Sequence, residues 1–173
     1  MLVICCSCKQ QHNEKRLASA YSPEISEENT QQGIELAAGM ATGCYTNKQL
    51  AIIAKEKSTG QEVKALAAVL EIQQDSLLQQ LKKYMAERGY SLPLTEERKD
   101  KRTAEELIGE DPKEFDRTWC SKMRNRYQET VKMYERAAVE KTTDTGLINW
   151  INRSLPSIRS SLNRLLAMEK SLQ

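Results

Sequence analysis

The chain has 173 residues, of which 39% are hydrophobic and 29% charged, a composition normal for one globular domain with a core of its own. The formal net charge of +2 comes from interleaved basic and acidic residues, so the clustered positive charge of a dedicated nucleic-acid surface is lacking. No apolar run approaches the roughly 18 residues that span a bilayer, and the scarcity of Pro (4) and Gly (7) favours long helices.

The first eight residues, M-L-V-I-C-C-S-C, resemble the end of a bacterial lipoprotein signal, in which an apolar stretch and a small residue precede the Cys that receives the lipid. Ser7 is the small residue here, so Cys8 is the predicted lipidation site. The apolar part is shorter than the usual roughly 7–15 residues and no charged residue precedes it, which a true start upstream of Met1 would explain. The alternative interpretation is an apolar N-terminus with incidental thiols.

A metal tract is a further interpretation of the same segment, with Cys5, Cys6 and Cys8 as ligands beside His12, the single histidine. Three thiolates so close together surround one ion poorly, and no other Cys or His lies at zinc-finger spacing from them. The sequence therefore favours lipidation over metal binding at this end of the chain.

The composition then divides the rest of the chain into two parts. Residues 9–26 are polar and contain a lone Pro23, which predicts a tether between an anchor at residues 1–8 and a folded domain at residues 27–173. The alternative is a polar arm without a role.

Two long helices are predicted in the first half of the domain. The first covers about residues 27–58 and places its apolar residues on one face. Thr59, followed by Glu62 three residues later, is typical of a capping box and predicts the start of the second helix. That helix runs to about residue 88, and Gly89 is the expected C-cap.

A short, highly charged helix is predicted next, over residues 95–107. A third long helix follows it and runs to about residue 141. Its start is marked by Asp111 as the N-cap, by Pro112 at the first helical position and by Glu114, which completes a capping-box pattern.

The last helix follows a short turn and runs to about residue 172, and Pro156 within it predicts a kink or a break. No alternating apolar pattern bounded by turns predicts a strand. Four long helices with short loops and one extra short helix together predict an all-α, antiparallel helical bundle.

Polar residues interrupt the apolar faces of three predicted helices near mid-length. They are Gln73 and Gln74 in the second helix, Arg126 and Tyr127 in the third long helix, and Ser161 in the last. Facing polar residues at mid-height of a bundle are where di-metal sites are built. Here the positions hold amide, guanidinium, phenol and hydroxyl groups in place of Glu and His.

Five short motifs, in this order and spacing, resemble the bacterial domain-of-unknown-function family DUF4142. They are E-V-K-A-L-A at 62–67, G-Y-S-L-P at 89–93, F-D-R at 115–117, Y-E-R-A-A at 134–138 and L-P-S-I at 155–158. The resemblance covers about residues 31–172. It implies a ferritin-like antiparallel four-helix bundle, with one extra short helix and a kinked last helix here. It also implies export, often as a lipoprotein, and no established activity.

The resemblance also identifies the family's ligand-type positions. Similar members carry an Asp-His pair in the second helix, a second pair in the third long helix, a His in the last and a Glu in the first. These positions are occupied here by, in chain order, Asn47, Gln73, Gln74, Arg126, Tyr127 and Ser161. None is a carboxylate or an imidazole, which hard divalent ions require, and Arg126 would repel a cation. We therefore predict no metal and no cofactor there.

Three interpretations of this polar cluster remain open. Asn47, Gln73 or Gln74, Tyr127 and Ser161 can donate and accept hydrogen bonds among themselves, as buried polar groups must. Some of them can instead point to solvent at the edge of the apolar face. A small polar ligand between the helices is the third interpretation.

The sequence contains no catalytic constellation. His12 lies in the predicted tether, and Cys44 and Cys120 fall on predicted helices as small core residues, so a Cys or Ser nucleophile would lack its base. We predict that the protein is not an enzyme.

The preferred hypothesis is therefore a lipoprotein of the bacterial cell envelope that faces the periplasm and is held at the membrane through Cys8. Its bundle is a binding or structural module, with another envelope protein as a candidate partner and no nucleic acid. One alternative is a degenerate metal-binding or redox protein with Glu35, Glu71 or Glu135 as ligands. The other is a helical adaptor of the cytoplasm.

Overall fold

The structure, a computed structural model, describes residues 27–92, 98–140 and 144–173. These residues form five α-helices and no strand. The helices are α1 (Glu27–Lys57), α2 (Gln61–Ala86), α3 (Arg98–Gly109), α4 (Phe115–Val139) and α5 (Thr145–Ser171). None of the described helices has a stretch that is both long and apolar enough to cross a membrane.

Two helical hairpins build the bundle. In one hairpin α1 packs along α2, in the other α4 packs along α5, and these two contacts are the most extensive in the molecule. The hairpins then meet through α1 with α4 and through α2 with α5, so every neighbouring pair of long helices is antiparallel. The connection from α2 to α4 contains α3, which lies against α1 and α4 at the seam between the hairpins.

The core is continuous from one hairpin to the other. Trp119 of α4 is fully buried, and its indole N–H donates to the carbonyl oxygen of Leu50 on α1 at 2.9 Å. At the other end of the bundle, Tyr134 of α4 and Trp150 of α5 pack with their ring centroids 5.7 Å apart. Such large aromatic side chains contribute much of the apolar area that a small bundle buries.

The start of α2 differs from the sequence prediction, because Thr59 does not form a capping box. The N-cap is Gly60, with no hydrogen bond from a side chain to the end of the helix. Instead, the Gly60 N–H donates to the hydroxyl of Ser58 and to the carboxylate of Asp116, both at 3.1 Å. The start of α2 is thus held by a tertiary contact with α4, and not by the capping box that the sequence predicts at Thr59.

The other predicted helix ends are closer to the structure. Gly89 has a φ of +80° after α2, and Tyr90 N–H donates to the Met85 carbonyl, the pattern of a glycine C-cap. Asp111 caps a turn by accepting the Lys113 N–H at 2.8 Å, and α4 begins one turn later than predicted. α5 continues through Pro156 as a single helix, so the predicted interruption is not a break.

Candidate functional site

Four of the predicted polar side chains form one hydrogen-bonded group, which we call the central network: Gln73, Gln74, Tyr127 and Ser161. The Gln74 amide donates to the Tyr127 hydroxyl at 2.7 Å. That hydroxyl donates to the side-chain carbonyl oxygen of Gln73 at 3.1 Å. The same Gln73 oxygen accepts from the Ser161 hydroxyl at 2.9 Å. The Gln73 amide donates to the backbone carbonyl of Ser157 at 3.0 Å. The network therefore joins α2, α4 and α5 at mid-height.

The central network is neutral, and three of its four side chains are buried while Gln73 is half-buried. Tyr127, Gln74 and Ser161 are at most 3% exposed, so these three residues do not point to solvent at the edge of the apolar face. No buried side-chain atom of the network lacks a hydrogen-bond partner within the described residues. Burial raises the pKa of the Tyr127 phenol far above its usual range and outweighs the opposing hydrogen bond from Gln74. The phenol therefore keeps its proton and stays a donor.

Asn47 and Arg126 belong to a second group, which we call the Asp100 cluster: Thr46, Asn47, Asp100 and Arg126. The Arg126 guanidinium donates to the Asn47 amide oxygen and to the Asp100 carboxylate, both at 2.6 Å. The second carboxylate oxygen of Asp100 accepts from the Thr46 hydroxyl at 2.9 Å. The Asp100 side chain is 3% exposed and the Arg126 side chain 18%, so a largely buried ion pair joins α3 to α1 and α4.

Asp100 and Thr46 are site residues that the sequence reasoning missed. Asp100 lies in a charged segment, yet it shares a helical face with Ala104 and Leu107, four and seven residues later, which pack toward the core. That spacing was the available signal. The charged residues around Asp100 are, in contrast, typical of a helix exposed to solvent.

The family model described as a domain of unknown function, DUF4142, matches residues 18–168. The chain belongs to the DUF4142 family. The solved structure of a DUF305 fragment from Deinococcus radiodurans is similar to it, with a TM-score of 0.69 and 15% sequence identity over 82% of this chain and 95% of the other. A likeness at that identity shows the shared fold, a ferritin-like helical bundle. No curated protein matches the sequence.

The ligand-type positions of this DUF4142 domain do not fit a di-metal centre. Their donors are amides, a protonated phenol, a hydroxyl and a guanidinium, and neutral amides bind hard divalent ions far less well than carboxylates do. Their polar side chains form hydrogen bonds with one another, and the buried carboxylate of Asp100 is paired with Arg126. A cation entering this point would have to break the network and displace or face the guanidinium.

The alternative carboxylate ligands are not grouped either. Glu71 pairs with Lys55 at 2.6 Å, Glu135 pairs with Arg159 at 2.6 Å, and Glu35 accepts from the Gln31 amide at 2.8 Å. Within the part of the chain that the structure describes, no three His, Cys, Asp or Glu side chains come together as a metal site would require. These three acids therefore serve separate surface contacts.

The two described cysteines are buried free thiols, Cys44 on α1 and Cys120 on α4. Burial raises the pKa of each thiol to about 12. A thiol that stays protonated at neutral pH is a weak nucleophile, so neither has the character of a reactive cysteine. Cys8 and the other N-terminal cysteines lie outside the described residues, as does His12.

Proposed function

We propose that this DUF4142 protein is a lipid-anchored component of the bacterial cell envelope whose ferritin-like bundle is a binding or structural module. The observation that carries the non-catalytic role of the bundle is the central network. A neutral set of hydrogen bonds, in which no buried side-chain atom lacks a partner within the described residues, occupies the point where a catalytic bundle of this fold places its metal ligands. Such a network fixes the packing of three helices, and its one ionisable group, the Tyr127 phenol, has a pKa raised by burial, so it stays protonated.

The Asp100 cluster supports the same proposal. Its ion pair uses the one charged residue of the ligand-type positions, Arg126, to hold α3 across the seam between the hairpins. A guanidinium bonded to both a carboxylate and an amide oxygen is a structural clamp, because its planar donors fix the two partners in place.

Anchoring at the membrane rests on the sequence alone. The order apolar residues, Ser7, Cys8 and then a polar stretch is typical of a lipoprotein, and a tether at residues 9–26 would hold the bundle away from the bilayer. One acyl chain binds a membrane only marginally, so a stable anchor requires the several chains that a lipoprotein Cys receives.

Elemental analysis tests the absence of a metal centre. We expect the full chain, purified without chelator or affinity metal, to contain no stoichiometric iron, manganese or zinc. The positive control restores the ligand types that the family resemblance implies, by N47E, Q73D, Q74H, R126D, Y127H and S161H together, and should gain metal if it folds. Stoichiometric transition metal in the wild-type protein would contradict the proposal.

Lipid labelling tests the anchor. The gene, expressed from its own locus in cells fed an alkynyl fatty acid, should yield a labelled protein in the membrane fraction whose mature chain begins at Cys8. Cys8→Ala should lose the label, whereas the matched variants Cys5→Ala and Cys6→Ala should keep it. An unlabelled wild-type protein in the cytoplasmic fraction would replace the envelope proposal by the adaptor interpretation.

A further inference from the structure

The outer face of α2 carries a regular stripe of exposed residues, which we call the α2 stripe: Glu62, Ala65, Val69, Ile72, Ser76, Gln79 and Lys83. Successive members are three and four residues apart in strict alternation, the spacing of a coiled-coil seam. All seven side chains are exposed. Ile72 at the centre is 71% exposed and Val69 is 41% exposed, although the core face of the same helix is fully buried. Packing within the bundle therefore does not explain why these apolar side chains lie on this surface.

The charges of the α2 stripe are arranged so that the stripe complements itself. Glu62 lies at its first position and Lys83 at its last, and the five positions between them are uncharged. Glu62 has no ion pair within the described residues, and Lys83 reaches only Glu87, at 4.0 Å and well exposed. The stripe spans about 31 Å of helix, since each residue advances ~1.5 Å.

We propose that the α2 stripe is the interface of a homodimer in which α2 packs antiparallel against α2 of a second copy. A two-fold axis through Ile72 sets Ile72 against Ile72, Val69 against Ser76, and Ala65 against Gln79. It also sets Glu62 of each copy against Lys83 of the other, forming two ion pairs at the ends of the seam. An interface of this kind is isologous, the commonest form among soluble oligomers.

The surroundings of the stripe are compatible with a helix laid against it. A groove of about 430 Å³ lies beside the first turns of α2, between Glu62 and Ala65 on one side and Ala167 and Met168 of α5 on the other. The α2–α5 seam has no described helix over it, whereas α3 lies over the α1–α4 seam. Parallel packing of two stripes would bring Glu62 against Glu62, so the charges favour the antiparallel second copy. This dimer does not depend on the proposed function.

Sedimentation of the full chain under reducing conditions, over a concentration series, tests the proposal. We expect a reversible equilibrium between the 19.7 kDa chain and a species of twice that mass. Ile72→Glu should raise the Kd of the dimer at least about tenfold, because it places two like charges on the two-fold axis. Ile108→Glu is the matched control, since Ile108 is 56% exposed on α3, and it should leave the Kd unchanged.

A charge exchange tests the orientation. Glu62→Lys alone and Lys83→Glu alone should each weaken the dimer, and the double variant should restore it, because only an antiparallel pair sets position 62 against position 83. A wild-type chain that stays monomeric at every concentration would overturn the proposal, as would a dimer that Ile72→Glu does not weaken. A dimer weakened by Ile72→Glu but not restored by the double variant would overturn the antiparallel geometry.

Discussion

Tyr127 is the side chain on which the central network depends, because its hydroxyl accepts from Gln74 and donates to Gln73 at the same time. Both amides belong to α2, whereas Tyr127 belongs to α4, so one hydroxyl group connects two helices of different hairpins. A hydroxyl that uses both of its hydrogen-bonding roles in a buried site cannot be removed without leaving a buried amide without a partner.

We expect Tyr127→Phe to lower the free energy of unfolding by about 1–3 kcal/mol, since the variant leaves the buried Gln74 amide unpaired. Urea denaturation followed by circular dichroism measures the change. Tyr45→Phe is the control, because the half-buried Tyr45 has no hydrogen-bond partner among the described residues, and it should change stability by less than ~0.5 kcal/mol.

The same network allows a rescue experiment. Tyr127→Phe combined with Gln74→Leu removes both members of the shortest hydrogen bond, and loss of both partners costs less than loss of one. The double variant should therefore be more stable than Tyr127→Phe alone. A double variant that is less stable by the full sum of the two single changes would show that the hydrogen bond between Gln74 and Tyr127 contributes nothing.

We expect the start of α5 to be sensitive to acid because of its N-cap, Asp144. Its carboxylate accepts the Leu147 N–H at 2.9 Å and the hydroxyl of Tyr84. Partial burial alone would raise the pKa of Asp144, but the hydrogen bonds from Tyr84 and Leu147, together with the charge of Arg88, outweigh it and lower that pKa. A lowered pKa in the folded state means stability that is complete above the unfolded pKa, about 3.9, and lost as the pH falls through the folded value.

We therefore expect Asp144→Asn to flatten the fall in unfolding free energy below about pH 4. Asn is itself a good N-cap, so α5 should keep its start in the variant. Urea unfolding at a series of pH values measures the slope for both proteins. Parallel curves for the wild type and the variant would mean that Asp144 does not contribute to the acid sensitivity.

At the scale of helices, the charged residues of α3 and the glycines of α1 and α5 each have a structural consequence. α3 is rich in exposed charge, yet it is held through one buried carboxylate, Asp100, rather than through a wide apolar face. α1 contains three glycines, Gly33, Gly39 and Gly43, and an added Cβ at any of them would meet nothing within 4 Å. Gly146 in α5 is the opposite case, because an added Cβ would lie 2.7 Å from the Tyr84 hydroxyl.

We expect Gly39→Ala and Gly43→Ala each to raise the free energy of unfolding by about 0.5–1 kcal/mol, since Ala restricts the unfolded chain and fits the helix. Gly146→Ala should instead lower it, because the new methyl group displaces the Tyr84 ring that contacts Asp144. Thermal unfolding of the three variants measures both signs. A destabilising effect at both positions of α1 would mean that these glycines serve a close contact.

At the scale of the whole molecule, the sequence predicts the helices, which follow from a local periodicity. It does not predict the contacts between residues that are far apart in the chain. Helical periodicity predicted the four long helices, and the motifs predicted the family and its ferritin-like bundle. The pairing of Arg126 with Asp100 crosses 26 residues, and that of Thr46 with Asp100 crosses 54. Periodicity within one helix cannot report such contacts, just as the Thr59–Glu62 pattern could not report the contact of Asp116 with Gly60.

From the hairpin arrangement we also expect an order of events during folding. α1 meets α2 across the loop at residues 58–60, and α4 meets α5 across a similarly short connection, so most packing joins segments that are near in sequence. Contacts of low sequence separation lose little loop-closure entropy and form quickly. We therefore expect each of the two hairpins to form first and the hairpins to dock afterwards. The expected late step is the burial of Asp100 beside Arg126, which holds α3 against the bundle.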